Sequence, residues 1–177
     1  MLSFRLADLG VIAVALLAGG VNTLQLALLT GIRSERGPLG ATWISMLASL
    51  GGMALLLAGV LLAQGEVRLP FPFTHGWLLA LLGAGFVTML LLAGRGLPWY
   101  LLATGALSIP YLIAAAWAGP RIGLGVYLAA VVTGQLSTSV LLDHLGAFGL
   151  AQRPVDPLRA AGVAVLIAGV VLIRGRG

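Results

Sequence analysis

The chain is predicted to be all-α: a polytopic transmembrane helical bundle of about six spans. Six apolar runs, at about 8–30, 41–63, 76–94, 98–118, 123–142 and 157–173, fill almost all of its 177 residues. The composition is 60% hydrophobic and 8% charged, with a mean hydropathy of +1.09. A hydrocarbon layer about 30 Å thick needs about 20 helical residues, the length these runs approach or exceed. Strand-type alternation is absent, and an unpaired backbone amide in lipid is costly, so the runs must satisfy their own backbone as helices. With so little chain left over, one transmembrane domain over residues 1–177 is expected, in contact with the lipid bilayer throughout. Any activity then lies inside the membrane or at its surfaces.

The elements follow from the punctuation. Met1 to Ala18 combines Arg5 with an apolar run, but Asp8 interrupts it and no small-residue cleavage site follows, so it reads as a retained first helix. Gly31 to Pro38 and Gln64 to Pro72 read as exposed turns. After Gly94 to Leu97, Pro98 suits a first helical turn, and Trp99 and Tyr100 suit the headgroup layer. Pro110 falls in the middle of the fourth run, where a proline frees a carbonyl one turn earlier; a kink is expected there, making Pro110 the candidate hinge. Gly119 and Pro120 are expected to stop that helix, and Asp156 before Pro157 looks like a cap with proline in the first helical position.

Charge excludes several functions. The net charge of +5 comes from ten arginines and no lysine, scattered one or two per loop, whereas a nucleic-acid site needs them clustered; no nucleic-acid partner is expected. For six spans, one membrane face holds Arg5, Arg68, Arg121, Arg174 and Arg176 and the other Arg33, Arg36, Arg95, Arg153 and Arg159. If 76–94 did not cross, the tally would still be even. The positive-inside rule therefore gives no orientation, and such balance is what a chain inserting both ways would show. Zero cysteines exclude disulfides, thiolate metal sites and cysteine nucleophiles.

Polar side chains inside apolar runs are the functional candidates. Gln135, Ser139 and Asp143 recur every four residues with Thr138 beside them, placing a polar stripe on one face of the fifth span. Asn22 and Gln25, three apart, share a face of the first span. These groups either hydrogen-bond neighbouring helices, at about 1 kcal/mol each, or line a substrate path. Small residues at Gly19, Gly20, Gly51, Gly52, Gly83, Gly85 and the Ala160, Ala164, Ala168 series allow close helix contact, within one chain or between two. Catalysis finds no support: His75 and His144 sit at span ends, no nucleophile motif or metal-ligand spacing accompanies them, and no metal or cofactor is expected. Asp143 and His144 form a helix-end polar pair, since neighbours on a helix point about 100° apart. No carboxylate lies at a span midpoint, which disfavours transport driven by a central acid.

From Pro98 onward the order of features resembles the YdcZ-like family of the drug/metabolite transporter superfamily. The residues concerned are Pro98-Trp99-Tyr100, then Gly119-Pro120-Arg121-Ile122-Gly123, Gly134-Gln135-Leu136 and Asp143-His144-Leu145-Gly146. Arg159 to Gly162 and the glycine-containing last helix complete the series. The first helix, with Asn22 and Gln25, resembles the family more loosely. The resemblance implies a small multi-pass protein of the bacterial inner membrane, usually of five helices, equivalent to one half of an inverted-repeat transporter; 76–94 adds a sixth here. It also implies that two chains enclose a path. Distant relatives, the small multidrug exporters, carry an acid in the first helix, where this chain has Asn22 and Gln25. The function expected is thus transport of a small metabolite or drug-like solute by a homodimer, in which balanced loop charge allows an antiparallel arrangement. The alternative expectation is a non-transporting scaffold or regulatory subunit. In the transport reading Asn22, Gln25, Gln135, Thr138 and Ser139 contact the solute.

Overall fold

A computed structural model of the protein describes residues 6–174, with side chains over 9–173. Arg5 and Arg176, counted above, lie outside the described residues, as do the side chains of Asp8 and Arg174. The described chain is helical without strands: α1 (Leu6–Leu62), α2 (Gly76–Ala93), α3 (Ser108–Ile122), α4 (Leu124–Leu145) and α5 (Pro157–Arg174). Short 3-10 segments occupy Trp99–Ala103, Gly105–Leu107 and Ala147–Gly149. Each apolar run falls on helix. Among the described residues Leu9–Leu62, Gly76–Ala93, Trp99–Ile122 and Leu124–Leu145 have the length and composition to cross a membrane, and Pro157–Ile173 is a shorter apolar helix.

Burial is inverted relative to a water-soluble protein. Ala15, Ala118 and Ala130 are fully buried, while Leu17, Leu112 and Leu172 are 70%, 61% and 75% exposed. Small residues let helix backbones approach, and large aliphatic side chains face outward because lipid is as apolar as they are. A helical bundle of the membrane is the architecture.

Three local expectations are corrected. The turn expected over Gly31 to Pro38 is helical up to Arg36; the break is a single residue, Gly37, at φ 69° and ψ 174°, after which Pro38 resumes α1. Proline suits a first helical position, where its missing N–H has no partner to lose, and Arg33, Glu35 and Arg36 are good helix formers. The fourth run is not one α-helix. Residues 99–107 are 3-10, and Pro110 lies in the first turn of α3. Its ring opposes the carbonyl of Ala106, so α geometry begins only afterwards, and Pro110 costs α3 no interior bond. Pro120 does not stop α3, which runs to Ile122 and ends where Gly123 takes φ 80°. By contrast, Asp156 is a cap as expected: its Oδ1 accepts the Arg159 N–H at 2.7 Å.

The chain forms two compact units. Unit 1 takes residues up to Ala27 together with those from Pro110 onward; unit 2 is Leu28–Ile109. The chain thus passes between units at Ala27–Leu28, inside α1, and at Ile109–Pro110, inside α3.

In unit 2 the second arm of α1 and α2 form an antiparallel hairpin. A Cβ on Gly51 would meet Val87 at 3.1 Å, one on Gly83 would meet Leu55 at 2.7 Å, and one on Gly76 would meet Leu62 at 3.1 Å, so numbering rises along α1 as it falls along α2. The hairpin carries Arg95 to Arg36, whose guanidinium donates to the Arg95 carbonyl. Gly105 lies against the backbone of Ser45 and Ser49, leaving no room for a side chain. Three hydroxyls around it are engaged. Ser49 Oγ lies 2.8 Å from the Gly105 carbonyl, 3.0 Å from the Ser45 carbonyl and 3.0 Å from Ser108 Oγ. Ser108 Oγ donates to the Gly105 carbonyl at 2.6 Å, and the buried Thr104 to Leu101.

Unit 1 has an apolar core of Val11, Ala15, Ala118, Tyr127, Ala130, Val131 and Val170. α5 packs along α4, with Thr133 Oγ1 within 3.5 Å of the Leu166 carbonyl.

Candidate functional site

The candidate residues on α1 and α4 all belong to unit 1, and two glycines set their positions. Gly19 lies against the Val131 carbonyl and Gly134 against the Leu16 carbonyl, so each helix places a glycine where the other's backbone passes. This is the closest approach two helices can make, and it permits Cα–H···O contacts as well as dispersion. Thr23 completes the seam: its Oγ1 donates to the Gln135 carbonyl at 3.0 Å, with the Gly19 carbonyl also in reach at 3.3 Å. A Cβ on Gly20 would meet Thr138 Oγ1 at 2.8 Å. One turn forward on α1, from Leu16 to Gly20 or from Gly19 to Thr23, is one turn forward on α4, from Gly134 to Thr138 or from Val131 to Gln135. The two helices therefore run in the same direction along interdigitated four-residue rows.

The seam brings some of the sequence candidates together and leaves others apart. Thr138 faces α1 across Gly20, and Gln135 has its backbone on Thr23. Asn22 continues the stripe of Val11, Ala15 and Ala18, which are buried, and is itself half-buried. Gln25 is two residues, about 200°, beyond Thr23, which turns it away from α4. Ser139 is half-buried at the flank and donates to its own helix at Leu136 O, 2.9 Å away. Pro110 is at the passage between units, remote in sequence from the seam.

Among the described residues the side-chain amides of Asn22, Gln25 and Gln135 make no hydrogen bond, although all three are half-buried. A polar group held out of water without a partner costs on the order of 1–3 kcal/mol. Deeper on the α1-facing side of α4, the Tyr127 hydroxyl is the one buried side-chain polar atom among the described residues without a partner. Its residue is 2% exposed. Tyr127 and Thr23 were not singled out from the sequence. The signal was available for Tyr127, an aromatic hydroxyl in an apolar run two helical turns before Gln135.

At the far end of the stripe the helix-end pair behaves as two separate groups. The Asp143 carboxylate lies 3.7 Å from the Arg159 guanidinium, while His144 Nδ1 accepts the Val155 N–H at 3.2 Å. At the other end of α4, the Arg121 guanidinium stacks 4.3 Å over Trp117 and bonds its carbonyl, a typical headgroup anchor. His75 contacts Thr74, the Pro72 carbonyl and Phe71 in the turn before α2, and Trp77 in its first turn, all in unit 2. Among the described residues no group of three His, Cys, Asp or Glu side chains could hold a metal.

Comparison with known proteins gives one positive result. Residues 73–172, from before α2 to near the end of α5, match a family described as "Putative inner membrane exporter, YdcZ". No curated protein and no solved structure matches the chain.

Proposed function

The chain belongs to the YdcZ inner membrane exporter family and is a multi-pass inner-membrane transporter; from that premise we propose that it carries a small polar, uncharged solute along the α1–α4 seam. Asn22, Gln135, Thr138 and Ser139 are the contacting groups, and Gln25 stands outside the seam. One observation carries this reading: the amides flanking the seam are half-buried and unbonded, whereas the hydroxyls of Thr23, Ser49, Ser108 and Thr133 lie on carbonyls. Amides that merely glue helices would have found partners, because in hydrocarbon nothing else satisfies them. Absence of charge on these groups favours neutral solutes and leaves a central-acid coupling scheme without a residue.

Two further parts of the reading rest on connectivity. Since α1 before the Gly37 break and α4 point the same way, an odd number of crossings must separate them. The segments 38–62, 76–93 and 99–122 are our reading of those crossings, a reading of six spans that is consistent with an odd number. The homodimer reading is supported by α5, where Ala160, Ala164 and Ala168 lie on an exposed face at four-residue spacing. Pro110, at one of the two passages between units, is the proposed hinge for alternating access.

The test is uptake into proteoliposomes across a panel of neutral metabolites. Gln135→Ala is expected to abolish any uptake that the wild type shows; unchanged uptake would overturn the site. Reporter tags on the two ends should be accessible from the same side of the membrane within any one molecule, and tags on opposite sides would overturn the six-span arrangement.

A further inference from the structure

Within unit 2 the fold brings Arg95 to the turn of α1 that carries Arg33 and Arg36. Arg33 and Arg36, three residues apart, share a face of α1 just before the Gly37 break, and Arg95 directly follows Gly94, the C-cap of α2. Apolar chain flanks both places, with Leu29 and Leu39 about the first and Leu92 and Leu97 about the second. A charge between two apolar segments settles where hydrocarbon gives way to headgroups, because there it is solvated. The aromatic pair Trp99 and Tyr100, 82% and 42% exposed with ring centroids 6.3 Å apart, marks the same depth. Across 59 residues of chain the two places are joined directly, since the Arg36 guanidinium donates to the Arg95 carbonyl.

That contact gathers like charges and gives them no counter-charge. All three arginines are exposed. Among the described residues the one ion pair is Asp143 with Arg159, in unit 1, and no carboxylate lies within ion-pair distance of Arg33, Arg36 or Arg95. Glu35 is the nearest acid in sequence, but it stands about 100° round the helix from Arg36 and about 200° from Arg33. The C-terminal carbonyls of the first arm of α1 and of α2 favour cations here, yet they supply partial charge only. The bond from Arg36 engages part of one guanidinium, and among the described residues the side chains of Arg33 and Arg95 make no bond.

We propose that this edge of unit 2 binds the phosphate of an anionic phospholipid through Arg33, Arg36 and Arg95. The planar fork of a guanidinium matches two phosphate oxygens at once, and phosphodiesters are the anions concentrated at this depth. The headgroup that fits has no ammonium of its own. In a zwitterionic lipid that cation would face three guanidinium groups, whereas phosphatidylglycerol brings net negative charge. Its acyl chains then lie along exposed aliphatic side chains such as Leu39 and Leu92. A phosphate shared by Arg36 and Arg95 adds a second tie between α1 and the turn after α2, beside the bond already present. The site is independent of the solute path, which belongs to unit 1.

Native mass spectrometry of the intact protein in detergent resolves individual bound lipids, and the probes are phosphatidylglycerol and phosphatidylcholine with the same acyl chains. Each arginine at the headgroup layer strengthens anionic-lipid binding about fivefold, so the first phosphatidylglycerol is expected to bind at least about tenfold more tightly than the first phosphatidylcholine. Arg95→Gln is the clean variant, because the bond from Arg36 goes to the backbone carbonyl at this position and survives the substitution. It should lower the preference about fivefold. Arg68→Gln removes an arginine of the same unit from the turn at the opposite end of α2, and should leave the preference within about twofold. Glycerol phosphate, which carries the phosphate without the chains, should bind no better to the wild type than to Arg95→Gln. Equal affinity for the two lipids, a preference that Arg95→Gln leaves intact or that Arg68→Gln lowers as much, or glycerol phosphate binding that depends on Arg95 would overturn the lipid site.

Discussion

Unit 2 presses Gly105 onto the backbone of Ser45 and Ser49 and engages three hydroxyls beside it: Ser49, Ser108 and Thr104 all bond carbonyls. Unit 1 presses Gly19 and Gly134 onto α4 and α1 in the same manner, yet leaves Asn22, Gln135 and the Tyr127 hydroxyl without partners beside the seam. Both regions solve the packing problem of lipid with glycine and direct backbone contact. They differ in what becomes of polar atoms. Saturated polar atoms add rigidity, and unsaturated ones cost stability and persist where something else satisfies them. That difference separates scaffold from site more sharply than residue type does, since serine and glutamine are equally plausible in either role.

The largest expected effect tests the seam itself. In Gly134→Ala the new Cβ runs into the Leu16 carbonyl, which is backbone and cannot rotate away. Overpacking of that kind costs about 1–3 kcal/mol, and this site belongs at the upper end. Gly83→Ala meets chiefly the Leu55 side chain, at 2.7 Å, with the Leu55 nitrogen at 3.1 Å, so roughly half that loss is expected. Gly85→Ala has nothing within 4 Å and should be neutral or slightly stabilising through helix propensity. Unfolding in mixed micelles by increasing detergent gives the order. If Gly134→Ala were as mild as Gly85→Ala, the two units would not share a packing mode.

Much of this contrast was already legible in the sequence and some was not, for identifiable reasons. The apolar helices were readable because hydrophobic runs in lipid need no long-range information. The Asp156 cap was readable because capping is local. The glycines of the seam were visible as candidates, but which backbone each would meet depends on helices more than 100 residues apart in the chain. The same limit hid Thr23, whose acceptor is the carbonyl of Gln135. Conversely, Gln25 looked equivalent to Asn22 because three-residue spacing puts them on neighbouring positions, while the partner helix takes the Gly19, Gly20 and Thr23 side. The misread turn at Gly31 to Pro38 came from counting glycine and proline as breakers wherever they stand, when a proline directly after Gly37 is a helix starter.

A middle-sized effect sharpens the comparison directly. Ser49→Ala removes a hydroxyl that holds three partners, and should lower stability by about 0.5–1.5 kcal/mol. Gln135→Leu removes an amide that holds none, keeps similar volume, and should leave stability unchanged or raise it by up to about 1 kcal/mol. The same unfolding measurement on both variants is decisive. A Gln135→Leu protein destabilised as much as Ser49→Ala would mean that the amide is part of the scaffold after all.

The smallest expected effect belongs to Tyr127→Phe. The ring stays among Val11, Ala15, Ala130 and Val131 and loses only the oxygen. A partnered hydroxyl would make that loss costly, but this one is buried and unbonded. Its removal should therefore raise the stability of the solute-free protein by up to about 1 kcal/mol, a modest share of the desolvation cost such a group carries. Thr133→Val on the opposite, α5-facing side of α4 is the matched control: its hydroxyl lies 2.8 Å from the Ala129 carbonyl, so its loss should be destabilising by a similar amount. Opposite signs for the two variants would place the unsatisfied polar atoms on the α1 side of α4 alone, and a shared negative sign would show that Tyr127 holds a partner in the membrane.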